Sequence, residues 1–229
     1  MPRYRICYSK HGPARYISHL DLVRALERAL RRAGLPVAYS EGFNPHPRLS
    51  FAAPLPVGSE GLAELVDVET TAPVARRELA GRLNAALPRG LSVREVTEVP
   101  ENAPSLMAAL DSAGYIVHVD AGDLPACPPA DAVRSFLALD HIEVTRRGKD
   151  GQEKVRDIRP GILDLKMLSV DGDLILELRL KTGSAMNVRP EEAVEAFLRH
   201  AGLAVDRADL RITRTGLFAG DSVLSKQPG

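Results

Sequence analysis

Polar and apolar residues alternate through residues 3–9, with Tyr4, Ile6 and Tyr8 on one side, which is the period of a strand with one buried face. Lys10-His11-Gly12-Pro13 ends it. Ser18 is then the expected N-cap of a helix, with Asp21 in the capping-box position. Leu22, Val23, Leu26, Ala29, Leu30 and Ala33 recur at helical spacing until Gly34-Leu35-Pro36 stops the run. The opposite face of this helix carries Arg24, Arg28, Arg31 and Arg32. Short extended pieces follow at 37–40 and 49–53, and residues 62–69 alternate as a strand. A second helix fits 74–87, with Leu79, Leu83 and Leu87 in line and Pro88-Arg89-Gly90 closing it, and 91–99 reads as a strand. Strand, helix, strand, strand, helix, strand is the split βαβ order of a ferredoxin-like sandwich.

Pro100-Glu101-Asn102-Ala103-Pro104 marks a boundary, with a short connecting helix expected in 105–113. A similar order then returns. Residues 115–120 read as a strand, 130–139 as a helix, and 142–147 with 154–158 as a hairpin across Gly148-Lys149-Asp150-Gly151. A second hairpin joins 162–170 to 174–181 over Asp171-Gly172, a strong turn signal. Residues 190–201 form an amphipathic helix and 210–214 a closing strand. The expected fold is therefore α+β: two ferredoxin-like units packed together, at 1–100 and 114–218, the second with an extra hairpin, and a tail at 219–229. Identity between the halves is too low to establish a repeat from the residues.

Composition narrows the function classes. The 229 residues are 45% hydrophobic and 26% charged, with no apolar run of membrane-spanning length. The strand pattern starts at once, so no leader is expected. Cys7 and Cys127 are the only cysteines, too few for a disulfide framework or a cysteine-rich metal site, and a cytoplasmic protein is expected. Net charge is zero, yet residues 1–50 hold nine Lys and Arg against three acids, a local excess of +6. That asymmetry favours a polyanion near the first fifty residues.

The same segment contains Tyr39-Ser40-Glu41-Gly42-Phe43-Asn44-Pro45-His46-Pro47-Arg48. Two prolines stiffen it, so Asn44, His46 and Arg48 are displayed at fixed angles with little ordering entropy lost on binding. This run, with Tyr8-Ser9-Lys10-His11-Gly12-Pro13-Ala14-Arg15-Tyr16-Ile17-Ser18-His19-Leu20-Asp21-Leu22, resembles the radical-SAM-linked family of bacterial proteins. Asp157-Ile158-Arg159-Pro160 and Arg214-Thr215-Gly216-Leu217 are similar to further motifs of that family. Its members occur beside a radical SAM enzyme or fused to its C-terminus. The resemblance implies a radical SAM partner and an RNA or other macromolecular substrate. With no Cys-x3-Cys-x2-Cys, this chain is expected to be the accessory half, any radical chemistry belonging to the partner.

The expected substrate-binding residues are Lys10, His11, Arg15, His19, Glu41, Asn44, His46 and Arg48. Lys10, Arg15 and Arg48 would hold phosphate, Asn44 and His46 would supply directional hydrogen bonds, and Glu41 would orient a cation. Arg24, Arg28 and Arg31 add cations, and Tyr16, Tyr39 and Phe43 add surfaces on which bases stack. The competing reading makes His19 or His46 a proton-transfer group in a metal-independent RNA-processing enzyme, similar in fold to CRISPR RNA-processing endonucleases. A third makes the chain a protein–protein scaffold. No metal is expected, because His11, His19 and His46 lack paired ligand spacing. No cofactor is expected either, since no nucleotide-binding glycine motif is present. Asp157 through Pro160 reads as a structural corner with an Asp–Arg pair, and Asn187 as the cap of the last helix.

Overall fold

The computed structural model describes residues 1–120, 128–129, 131–148, 151–170, 173–183, 185–203, 206–220 and 222–224. Cys127, the predicted turn at 171–172, residues 149–150 of the first hairpin turn and the last five residues fall outside them. The chain is α+β, its sheet mostly antiparallel, and it divides into two compact units. One comprises Met1–Leu110 with Arg214–Gly229, the other Asp111–Thr213.

In the first unit β1 (Arg3–Lys10) is followed by a 3₁₀ turn, Gly12–Tyr16, and by α1 (His19–Arg32). Next come β2 (Leu49–Phe51), β3 (Glu60–Glu69), α2 (Arg76–Ala86), β4 (Leu91–Val99) and a single helical turn, α3 (Leu106–Ala109). β1 lies between β4 and β3, and β2 pairs on β3 with Ser50 opposite Asp67, every neighbour antiparallel. Tyr4, Ile6 and Tyr8 pack with Leu22, Leu26, Leu30, Leu79 and Leu83 in one apolar cluster, so the strand and helix periods meet on one core. Ser18 caps α1: its hydroxyl accepts the Asp21 N–H at 3.2 Å and donates to the Asp21 carboxylate at 2.7 Å. At the other end Gly34 takes φ +59°, and Arg82 from α2 donates to the Ala33 and Gly34 carbonyls, tying the two helices together.

Gly90 holds the start of the basic segment in place. Its carbonyl accepts the His11 N–H at 2.9 Å, and its φ is +90°. A Cβ there would stand 2.5 Å from the His11 carbonyl oxygen and 2.9 Å from the Ala14 methyl. Gly90→Ala therefore carries both backbone strain and a clash with main chain. It is expected to lose about 1–3 kcal/mol or more in urea unfolding; a loss of a few tenths would contradict this packing.

The second unit contains β5 (Ser112–Val119), α4 (Ala132–Leu137), β6 (Glu143–Arg147), β7 (Glu153–Asp157), β8 (Ile162–Val170), β9 (Asp173–Lys181) and α5 (Pro190–His200). β9 lies between β5 and β8, while β6 and β7 form a separate two-stranded hairpin. Phe136 of α4 meets Phe197 of α5 edge to face, ring centroids 5.5 Å apart. β10 (Leu210–Ala219) begins in this unit; from Arg214 onward it groups with the first, where β11 (Ser222–Val223) pairs on it.

Two local expectations need correction. Asn187 does not cap α5: its side-chain oxygen accepts the Thr182 hydroxyl at 3.1 Å, and the cap residue is Arg189 without a side-chain bond. Pro190 at the first helical position has no N–H to satisfy, which removes part of the demand for a cap. The corner at Asp157 is built, but not by an Asp–Arg ion pair. Asp157 accepts the N–H groups of Ile142 and Arg159, each at 2.9 Å, while the Arg159 guanidinium donates to the Leu137 and Ile162 carbonyls.

The remaining Asp157 oxygen pairs with His141 Nδ1 at 2.8 Å. This hydrogen bond, with the two backbone donors, holds the carboxyl down at about 2, and it raises His141 above the ordinary imidazole value. A lowered carboxyl stabilises the fold above the ordinary carboxylate range and loses that contribution as pH falls towards 2. A raised imidazole stabilises below its ordinary value and loses that contribution as pH rises through the shifted one. The Tm gap between wild type and His141→Ala is thus expected to be widest near pH ~5 and to shrink at both extremes. A gap independent of pH would contradict the pairing.

Candidate nucleic-acid interface

Buried polar side chains of the first unit hold the chain at residues 15–17 and 53–54. Arg214 and Glu64 are about 2% exposed and form a bidentate pair, with Arg214 Nε 2.8 Å from Glu64 Oε1. The guanidinium also donates to the Ala53 carbonyl at 3.0 Å and reaches that of Pro54 at 3.4 Å, fixing the loop ahead of β3. Lys10 is 1% exposed, and its ammonium donates to the Arg15 and Ile17 carbonyls, both at 3.3 Å. Burial pulls the Lys10 pKa down and pushes that of buried Tyr8 up; the Glu64 charge raises both. Lys10 is thus a strut beneath residues 15–17 and not a surface contact for phosphate, which corrects the sequence expectation.

The other expected residues are exposed or half-buried, but they do not converge on one point. His11 is exposed, and its backbone is held by Gly90. Arg15 lies 4.7 Å from the Tyr16 ring centroid, donates to the Tyr16 hydroxyl, and has Glu60 3.9 Å away. His19 meets Phe51 edge to face at 5.1 Å; burial and then the Lys10 charge lower its pKa, so it is neutral at neutral pH. His46 faces Glu27 at 3.9 Å, and Arg48 pairs with Glu69 at 3.1 Å. Glu41 and Asn44 are exposed, with no side-chain partner among the described residues. The orienting acids are therefore Glu27, Glu60 and Glu69 instead of Glu41. Sequence spacing carried no signal for them, since Glu60 and Glu69 act from β3.

The loop at 39–48 is ordered by its own hydrogen bonds. The Ser40 N–H donates to the His46 carbonyl at 2.9 Å, the His46 N–H returns to the Ser40 hydroxyl at 3.0 Å, and Tyr39 bridges Pro47. Its Phe43 side chain is completely exposed. The His46–Glu27 approach places this loop against the third turn of α1. There Leu20, Arg24, Arg28 and Arg31 form one exposed stripe at helical spacing. Arg24 has Asp21 at 3.6 Å, an exposed pair of little strength. Arg28 and Arg31 have no acidic side chain within ion-pair distance among the described residues. The first unit thus exposes guanidinium groups on α1 and an aromatic ring on the loop that approaches that helix through His46.

His19 and His46 are not brought together: Glu27, the neighbour of His46, stands eight residues along α1, about 12 Å of helix. Among the described residues no three His, Cys, Asp or Glu side chains converge as metal ligands, and no helix is long and apolar enough to cross a membrane.

The profile of a family described as "Uncharacterized protein conserved in bacteria (DUF2344)" matches residues 3–190, and the chain belongs to that family. No curated protein matches the sequence. Among solved structures, a chain of a Cbf5-Nop10-Gar1 complex is similar with a TM-score of 0.50 at 11% identity, over 93% of this chain and 48% of that one. A chain of the archaeal box H/ACA sRNP Nop10-Cbf5 complex gives 0.47 at 12% identity, over 93% and 47%. An unknown protein from Galdieria sulphuraria gives 0.27 at 13%, over 93% and 96%. This chain spans about half the length of the Cbf5-complex chain it matches, and at that identity the likeness concerns fold alone.

Proposed function

We propose that this chain is a non-catalytic accessory of a radical SAM enzyme that binds RNA and presents it to that partner, on a scaffold of two ferredoxin-like units. The observation that carries the RNA reading is the exposed α1 stripe, in which Arg28 and Arg31 have no acidic partner among the described residues, on the helix that the Phe43-bearing loop approaches through His46 and Glu27. Phosphate attraction comes from cations not already neutralised in the fold, so it is assigned to the helix and not to Arg15 or Arg48. The radical SAM partnership is supported by the motif resemblance around residues 8–22 and 39–47.

The strand order β4-β1-β3-β2, with a helix in each crossover, supports the ferredoxin-like reading of the first unit. In the second, β5, α4, β8, β9, α5 and β10 repeat the succession with β6–β7 inserted. β9 again lies between the first and second strands of the repeat, and the Asp120 N–H bonds to the Asp209 carbonyl just before β10.

The test is titration of a fluorescent single-stranded RNA with the purified protein at low salt. Binding that survives Arg48→Ala but falls with Arg28→Ala and Arg31→Ala supports the assignment. No binding at low salt would sink the RNA reading and leave this face as a docking surface for the partner protein.

A further inference from the structure

We infer that the RNA taken by this surface is single-stranded, with an unpaired base stacked on Phe43; the inference rests on the RNA reading proposed above. Phe43 has a relative exposure of 106%, so no neighbour covers either face of its ring. It follows Gly42, whose φ of +120° is a conformation that side chains other than glycine's rarely take. Behind it the reciprocal Ser40–His46 hydrogen bonds and the Tyr39–Pro47 bridge close the loop. The backbone that carries the ring is thus closed by its own hydrogen bonds, which lowers the loop entropy that a ligand has to remove. Phe43 is absent from the unit's apolar core, so its position serves no packing.

Charge complementarity names the occupant. The loop stands against α1 through His46 and Glu27, and Glu27 is flanked on the helix by Arg24, Arg28 and Arg31. An exposed ring on a loop that approaches an arginine-bearing helix matches a ligand with anionic links and flat aromatic groups. In a duplex the bases are already stacked and paired, so only the phosphates would be read and Phe43 would contribute nothing. An unpaired strand offers both, and Tyr39, half exposed at the loop's base, provides a second aromatic surface.

The chain contains no tryptophan, so Phe43→Trp puts its sole indole at the loop tip. Oligouridine of about 12 nucleotides is expected to bind this variant and quench its fluorescence, while a duplex of equal length leaves it unquenched. Phe43→Ala is expected to weaken single-strand binding about five- to a hundredfold. Phe43→Leu should lose nearly as much, because an aliphatic chain has no ring face, and duplex binding should be unaffected by either. If the single strand binds as tightly to the Ala and Leu variants as to wild type, and the indole is not quenched, the stacking inference is overturned while the RNA reading stands. If neither RNA binds at about 50 mM salt, both are overturned. Circular dichroism of each variant, altered only at an exposed side chain, confirms that the fold is intact.

Discussion

Arg214→Met is expected to lower the unfolding free energy by about 3–5 kcal/mol, the largest loss that one substitution in the polar residues of the first unit should cause. Both members of the Arg214–Glu64 pair are about 2% exposed, so removing the guanidinium leaves a carboxylate buried without its bidentate partner. The Ala53 and Pro54 carbonyls lose a donor at the same time. Lys10 is no substitute, because its ammonium is engaged by the Arg15 and Ile17 carbonyls. The double variant Arg214→Met with Glu64→Leu should be closer to wild type than Arg214→Met alone, since the stranded charge is gone. Urea unfolding of the two variants reads this directly. A single variant within about 1 kcal/mol of wild type would mean that water or another group satisfies Glu64.

This pair also marks what the sequence could not reveal. Glu64 and Arg214 are 150 positions apart, and no periodicity links them. The alternation in 62–69 reads as one wet and one dry face, yet both faces of β3 are buried, and Glu64 and Asp67 are matched by Arg214 and Arg5 from other strands. Lys10 was not legible either: Cys7, Ser9 and Lys10 are all buried and β1 shifts register against both neighbours around Tyr8, so strand parity does not mark which of them turns inward. By contrast α1 was readable to within a residue, because a capped helix with a strong apolar stripe specifies itself locally. The reciprocal Ser40–His46 bonds that close the 39–48 loop were not readable, because prolines and a glycine mark a break in regular structure without naming its partners. Which cations stay free was not readable, because Glu27, Glu60 and Glu69 neutralise their partners only after the strands and helix are placed.

The second large effect concerns binding. Arg24, Arg28 and Arg31 replaced together by alanine should weaken single-stranded RNA binding about a hundredfold at about 0.1 M salt. Each phosphate contact on a single strand contributes about 0.7 to the slope of log affinity against log salt, and three contacts contribute about 2. Their side chains are exposed, so stability should change by no more than about 0.5 kcal/mol. Arg15→Ala and Arg48→Ala should leave the slope nearly unchanged, because Glu60 and Glu69 oppose those charges in pairs less exposed, and so less screened, than Arg24–Asp21.

The most direct measurement is therefore the salt dependence of single-stranded RNA binding by the wild type and by this triple variant, recorded side by side. A steep wild-type slope that flattens by about 2 in the variant is expected. Equal slopes, or no wild-type binding at low salt, would contradict the claim that the α1 stripe reads phosphate.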